Sequence, residues 1–397
     1  MRHPFVYPVV YPVFTLVLLL GLSVPAAWAA PPADIQTEAR NSFIFTFSAS
    51  VADEDISTLA SSLTSSYHGT LRHVFRNTLH GFSTTMARTE AEKLLDENSE
   101  VSALVNNGVG HAPGIDPGAL ASAGAKGGKG KPPGKTEQQV QSWGVAVVGG
   151  SQDATADGTP RHAWIIDTGI DDYYDGSELN IGDGENFVAK GQDTTDDTTG
   201  HGTHIAGIIA AIDNDTGVLG IAAGATVHPV RVLHKNRWGT VDDIISGVDY
   251  VAGKIADYPN AVHVVNMSLT VEIDGQKAVA DLLDDAVTTL ASSGVPFAVC
   301  AGNDSTDVSR YSPAHLSLPN VYTVASIDED GNLASDSNYG PEIDYVAPGV
   351  TIESLKPGGG TWFWSGCSMA TAHVTGILLF QTPEGIDIGA GYDLAHF

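Results

Sequence analysis

Apolar residues recur along this chain with two periods, and the change between them marks its organisation. Phe43-Ile44-Phe45-Thr46-Phe47 predicts a strand, and Asp55 to Leu63 a capped helix. Leu71 to Phe75 and Gly81 to Met86 predict two more strands. Thr89 to Leu95 opens a helix with Thr89 and Glu92 at capping-box spacing, and Val101 to Val105 closes the unit as a strand. The order β-α-β-β-α-β is that of a small ferredoxin-like α+β domain. Residues 31 to about 41 are polar and are expected to form a leader rather than an element.

Beyond residue 138, near-continuous apolar runs alternate with amphipathic segments. Ala163 to Ile166, Val227 to Leu233, Val262 to Val265, Pro296 to Val299 and Val321 to Ala325 predict strands. Helices are expected from His201, over Val241–Ala256 (apolar at Ile244, Ile245, Val248 and Val251), over Ala278–Leu290, and over 366–380. Apolar strands separated by such helices imply an α/β fold, a parallel central sheet flanked by helices. Functional groups in such sheets collect at the carboxyl ends of the strands.

Between the two units, residues 112–137 are rich in Gly, Pro and Lys, cannot bury a core, and read as a linker open to proteolysis. The charge breaks there as well. Of the formal net −28, residues 1–137 carry 10 basic against 12 acidic side chains, whereas 138–397 carry 9 against 35. So acidic a body argues against nucleic acid or an anionic membrane as partner. At the start of the chain, Met1-Arg2 precedes the apolar run Val13–Leu20, and Ala27-x-Ala29 follows as a cleavage site. Residues 1–30 therefore read as a signal peptide, placing the protein outside the cell, and no later stretch is long enough to span a bilayer. Export permits a disulfide between Cys300 and Cys367, but two isolated cysteines make no framework. Two small buried side chains is the reading favoured for them.

Candidate chemistry begins at Gly366-Cys367-Ser368-Met369-Ala370, where a glycine turn feeds a helix. A serine there lies beside unpaired N–H groups and a partial positive charge, both suited to an oxyanion, although many such serines are only N-caps. Asp167 ends its strand in Asp167-Thr168-Gly169, a sequence that also makes ordinary turns. His201-Gly202-Thr203-His204 starts a helix; its two histidines lack the glutamate and third ligand that zinc would need. Together Asp167, His201 and Ser368 supply a nucleophile, a base and the carboxylate that orients the base. Asn303, in Ala301-Gly302-Asn303 at the end of a strand, can donate to an oxyanion.

These four blocks, in this order, resemble the signature segments of subtilisin-like serine proteases, and most closely their proteinase K branch. The similarity covers about residues 138–380, and residues 42–110 resemble the inhibitory propeptide of that family, which makes 31–111 the propeptide domain. The resemblance implies a secreted endopeptidase acting on polypeptides, made as a self-processing zymogen with its own propeptide as inhibitor, and a monomer. It implies substrate contacts along Trp238-Gly239-Thr240 and Ser268-Leu269-Thr270, and at Ala301 and Gly302. It also implies a structural Ca²⁺ held by the Pro319 and Val321 carbonyls and the Asp344 carboxylate. Cys367 stands where the family has threonine, Ala372 where it has proline, and Thr270 where it has glycine. Thr270 bears on the shape of the primary pocket, whereas Cys367, Ala372 and the short stretch after Phe380 leave one rival, a catalytically weak or inactive protease fold that binds peptides.

Overall fold

The structure, a computed structural model, describes residues 30–114, 139–188, 195–389 and 391–397. The expected signal peptide and most of the expected linker fall outside these residues.

The first unit contains helix α1 (Ala33–Arg40), strand β1 (Ser42–Phe47), helix α2 (Ile56–Ser66), strands β2 (Thr70–Phe75) and β3 (Gly81–Thr85), helix α3 (Arg88–Glu97), and strand β4 (Val101–Asn106). Its antiparallel sheet runs β2-β3-β1-β4. The run Phe43-Ile44-Phe45 is apolar without a break because both faces of β1 are covered. Phe43, Phe45 and Phe47 pack under α2 and α3, while Ile44 and Phe75 join the core of the larger domain. Two local expectations differ. The expected leader is helical as α1, anchored by Ile35 and Ala39 at i,i+4 spacing, both buried. Ala87, not Thr89, caps α3, and no side-chain cap bond forms.

A short strand β5 (Val109–His111) leads out of this unit. The larger domain then supplies β6 (Arg161–Asp167), α4 (His201–Ala210), β7 (Thr226–Arg231), β8 (Trp238–Thr240), α5 (Val241–Lys254) and β9 (Val262–Met267). It continues with α6 (Lys277–Ser292), β10 (Phe297–Cys300), β11 (Val321–Ile327), β12 (Tyr345–Pro348), α7 (Cys367–Leu378), β13 (Glu384–Asp387) and β14 (Asp393–His396). The central sheet is ordered β13-β14-β12-β11-β10-β9-β6-β7, parallel except for the β13–β14 hairpin at its edge.

Side chains alternate across this sheet. Ala163 and Ile165 of β6 face a core built on α4 and α7, and Trp164 and Ile166 face one built on α5 and α6. That double burial explains why the strands read as unbroken apolar runs. From β6 the chain passes to β7 on one side and returns to β9 on the other. The carboxyl end of β6 is therefore a topological switch point, where open sheets leave a crevice.

Candidate active site

Asp167 is the last residue of β6 and lies at that switch point, fully buried. Its carboxylate accepts a hydrogen bond from Nδ1 of His201 at 2.7 Å to Oδ1 and 2.8 Å to Oδ2, and Oδ1 accepts from the Thr168 N–H at 2.7 Å. Because the carboxylate accepts, the proton of a neutral His201 is on Nδ1 and its Nε2 carries the lone pair. That Nε2 is buried and has no hydrogen-bond partner among the described residues.

His201 is the first residue of α4, and Asp197 holds this helix end. Its Oδ1 accepts from the N–H groups of Thr199 (2.9 Å) and Gly200 (2.8 Å), and its Oδ2 from the N–H (3.0 Å) and hydroxyl (2.8 Å) of Thr203. Burial, the largest influence, raises the Asp197 pKa above the usual carboxylate range against these bonds. Gly200 has φ +96°, and a Cβ there would come within 2.4 Å of the Trp362 ring, so a side chain is excluded. His204 is not part of the site. It is buried edge-on to Trp364, donates from Nε2 to the Ile352 carbonyl at 3.1 Å, and has its pKa pushed down to about 3 by burial and then by His201.

Ser368 is the second residue of α7. Gly366, with φ +145°, turns the chain into the helix; a Cβ there would lie 2.8 Å from Nδ2 of Asn303. Ala372, where a proline was expected from the family pattern, is buried within an unbroken α7. Asn303 accepts the Cys367 N–H on Oδ1 at 2.9 Å, which fixes the amide orientation. Its Nδ2 is then buried without a partner among the described residues. The loop carrying Ala301, Gly302 and Asn303 is held by Asn338, which donates to the Ala301 carbonyl (2.8 Å) and accepts from the N–H groups of Asp304 (2.9 Å) and Thr306 (3.1 Å). Cys300 and Cys367, expected as separate buried side chains, are joined in a disulfide with Cα atoms 5.4 Å apart. The end of β10 lies against the start of α7, a juxtaposition that a 67-residue separation does not reveal.

Residues 109–114 occupy the cleft as an extended strand. On one side β5 pairs antiparallel with β8, setting His111 opposite Trp238, Gly110 opposite Gly239 and Val109 opposite Thr240. The Ala112 N–H continues this ladder to the Arg237 carbonyl at 3.0 Å. On the other side His111 exchanges both bonds with Thr270, at 2.9 and 2.8 Å. The same register sets Pro113 opposite Ser268, but a proline has no N–H to donate there. The Ser268 hydroxyl instead donates to the Ser368 carbonyl at 3.1 Å, while Leu269 is buried behind the strand. The Pro113 carbonyl accepts the Ser368 hydroxyl at 2.6 Å, and Arg237 donates to the Gly114 carbonyl at 2.9 Å. A backbone carbonyl thus rests on the candidate nucleophile, between the two segments expected to pair with substrate. Buried His111 stacks on Trp238 with ring centroids 4.5 Å apart. Burial, and then Arg237, hold its pKa down to about 4.

Two of the three expected calcium ligands, Val321 and Asp344, lie along one edge of β11. Val321 opens β11, and two residues on Thr323 exchanges hydrogen bonds with Asp344: its N–H reaches the carboxylate at 2.8 Å and its carbonyl takes the Asp344 N–H at 3.0 Å. Alternation along a strand turns the Val321 carbonyl toward the same edge. Burial raises the Asp344 pKa, against the lowering effect of its bond from the Thr323 N–H. Two carbonyls and one carboxylate form an all-oxygen set that suits Ca²⁺.

Sequence reasoning missed several supports, among them Asp197, Asn338, Gln276 and the acidic face of α5. Gln276 accepts the Val109 N–H at 2.7 Å and so helps seat the strand in the cleft. None of these residues lies in a short motif; each is recognisable only by its partners.

Residues 48–381 match the sequence model of the subtilase family. A thermostable alkaline protease of Halalkalibacterium halodurans is 35% identical over 244 residues, covering 61% of this chain and 63% of that protein. Subtilisin Savinase of Lederbergia lenta is 39% identical over 212 residues, covering 53% of this chain and 72% of that protein. Subtilisin-like protease 7 of Arthroderma otae is 37% identical over 265 residues, 64% of this chain and 62% of that protein. The chain thus spans somewhat under two thirds of two of these relatives. Among solved structures, a cold-adapted subtilisin-like serine proteinase aligns with a TM-score of 0.50 at 34% identity, over 61% of this chain and 84% of the other.

Proposed function

Since the chain belongs to the subtilase family, we propose that it is a secreted serine endopeptidase made as a self-processing zymogen. The observation that carries this reading is a strand carbonyl held against the Ser368 hydroxyl, beside a buried Asp167–His201 pair whose Nε2 has no partner among the described residues. His201 Nε2 takes the Ser368 proton as Oγ leaves its bond to the Pro113 carbonyl and attacks the carbonyl carbon. Asp167 keeps the imidazole in the correct tautomer and stabilises the imidazolium. The tetrahedral oxyanion meets the Ser368 N–H and Asn303 Nδ2, a buried donor otherwise unsatisfied. The leaving amine takes the proton from His201, and water then releases the acyl group by the same steps in reverse.

In this reading the unit of residues 31–111 is an intramolecular inhibitor, and processing begins in the 112–137 stretch, with the Pro113–Gly114 bond presented first. Polypeptide substrates replace residues 109–114 between the strands 237–240 and 268–270, held mainly by main-chain bonds. Among the described residues no helix is long and apolar enough to cross a membrane; export rests on the expected signal peptide, and the enzyme acts as a monomer. Calcium held by Pro319, Val321 and Asp344 would brace β11 and the turn before it. Equilibrium dialysis against Ca²⁺ tests that site, since Asp344→Ala should remove one bound ion.

The functional test compares processed wild-type protein with Ser368→Ala on an unfolded protein substrate. Hydrolysis by wild type and none by the variant supports the reading. Equal hydrolysis by both, or tight peptide binding without cleavage by wild type, refutes it and favours the peptide-binding alternative.

A further inference from the structure

The nucleophile and the oxyanion donor belong to different elements, and the Cys300–Cys367 disulfide ties those elements together beside the reacting centre. Cys367 immediately precedes Ser368 at the start of α7, and Cys300 ends β10 three residues before Asn303. Both sulfurs are fully buried. The tie closes a small ring. It runs from Cys300 through Ala301 and Gly302 to Asn303, across the hydrogen bond from the Cys367 N–H to Asn303 Oδ1 (2.9 Å), and back through the two sulfurs. A second contact lies inside the ring, the Gly302 N–H pointing at Cys367 Sγ at 3.1 Å.

We propose that this disulfide is a positioning element for the oxyanion hole, fixing the Ser368 N–H relative to the Asn303 amide, and that its reduction by a dithiol slows acylation. A preorganised hole works because its donors need no rearrangement as charge develops, and each must stay within about 2.7–3.1 Å of the oxygen. Without the bond, α7 and the 301–303 loop are related, among the described residues, by packing, the Cys367 N–H to Asn303 bond and, while the sulfur remains, the weak Gly302 N–H contact to it. The serine, its histidine and the substrate strands are untouched, so the loss falls on the chemical step rather than on binding. Reduction converts the disulfide to two thiols, and the dithiol closes to its own disulfide, two electrons and two protons passing between them. The inference rests on Ser368 being the nucleophile.

The test uses processed protein and a fluorophosphonate, whose phosphoryl oxygen occupies the same two donors as Ser368 Oγ bonds to phosphorus and fluoride leaves. Wild type is compared before and after dithiol treatment, alongside Cys300→Ala/Cys367→Ala, at temperatures well below each protein's unfolding transition. Alkylation of denatured samples counts free thiols, and mass mapping locates the label. The expected results are no free thiol in untreated wild type and label on Ser368. Labelling should slow about tenfold, a part of the 10²–10³ lost when a whole donor is deleted in a subtilisin, after reduction and in the double variant. The Ki of a reversible peptide aldehyde lacking a leaving group should follow the labelling rate, while the KM for a peptide substrate stays within about twofold. If burial blocks reduction the double variant carries the test, and if that variant fails to fold, reduced wild type does. Two free thiols in untreated protein overturn the inference, as does a labelling rate unchanged by loss of the bond. A loss seen only as a lower unfolding temperature overturns it too. Label on another residue means instead that the nucleophile assignment has failed.

Discussion

Replacing Asp249 with alanine should release the N-terminal unit from the larger domain without changing catalysis. Asp249 lies on α5, almost completely buried, and is surrounded by the loop after β2. Its carboxylate accepts from the backbone N–H groups of Arg76 (3.2 Å), Asn77 (2.7 Å) and Thr78 (2.8 Å), from the Thr78 hydroxyl (2.9 Å), and from the Asn77 side-chain amide (3.2 Å). Truncating one partner of a buried, hydrogen-bonded charge costs about 2–5 kcal/mol in an interface. With five donors converging on one carboxylate, the upper part of that range applies, about 3–5 kcal/mol, or roughly 150- to 4,000-fold in dissociation constant. None of the five donors is a cation, so the loss should persist at high salt. Loss of Arg72, which is paired with buried Asp242 at 2.7 Å and Asp243 at 3.0 Å and with partly exposed Glu38, should instead depend on salt through the Glu38 pair. The assay is inhibition of processed enzyme by the released N-terminal segment, with Ki taken from progress curves at low and high salt. A Ki within about threefold of wild type, or a defect that disappears in salt, would refute the reasoning.

Two further outcomes follow from the same geometry. Asp197→Ala removes four hydrogen bonds from the start of α4 and leaves the buried Thr203 hydroxyl, which still accepts from the Asp171 N–H at 3.0 Å, without an acceptor for its proton, so it should cost about 2–4 kcal/mol in urea unfolding; measured in a Ser368→Ala background, an unchanged midpoint would contradict the assignment. His111 has a docked pKa of about 4, below its ordinary 6.5. The released segment therefore binds more protons than the docked one, and inhibition is complete above about pH 6.5 and lost as pH falls toward 4. Inhibition should weaken roughly thirtyfold between pH 7.5 and 5, and His111→Gln should flatten that dependence, as Ki measured across this range will show.

The candidate catalytic residues stood out in the sequence because each lies in a local motif that is chemically distinctive before folding. Asp167 ends an apolar strand, His201 starts a helix, and Ser368 follows a glycine turn. The parallel sheet then sets Asp167 at a switch point, where it meets His201, and alternation of apolar runs with helices was enough to foresee that sheet. What remained hidden depends on partners rather than on pattern. Asp249 is one acid among many in an acidic domain, and nothing local separates an aspartate wrapped by N–H groups from a solvated one. The same holds for α1, whose two apolar anchors gain meaning only against the rest of its unit. Strands β12, β13 and β14 are short or edge-placed, so their period is too brief to read. The disulfide was hidden for the plainest reason, that sequence does not say which buried sulfurs meet.

The central claim is that Ser368 attacks the carbonyl held against it, and the most direct measurement is the N-terminal sequence of the first product released by freshly folded protein. The account predicts that wild type yields a new terminus at Gly114, with first-order kinetics independent of protein concentration, and that Ser368→Ala stays intact. Cleavage of the Ser368→Ala chain at the same bond would contradict it, as would a wild-type chain that remains whole.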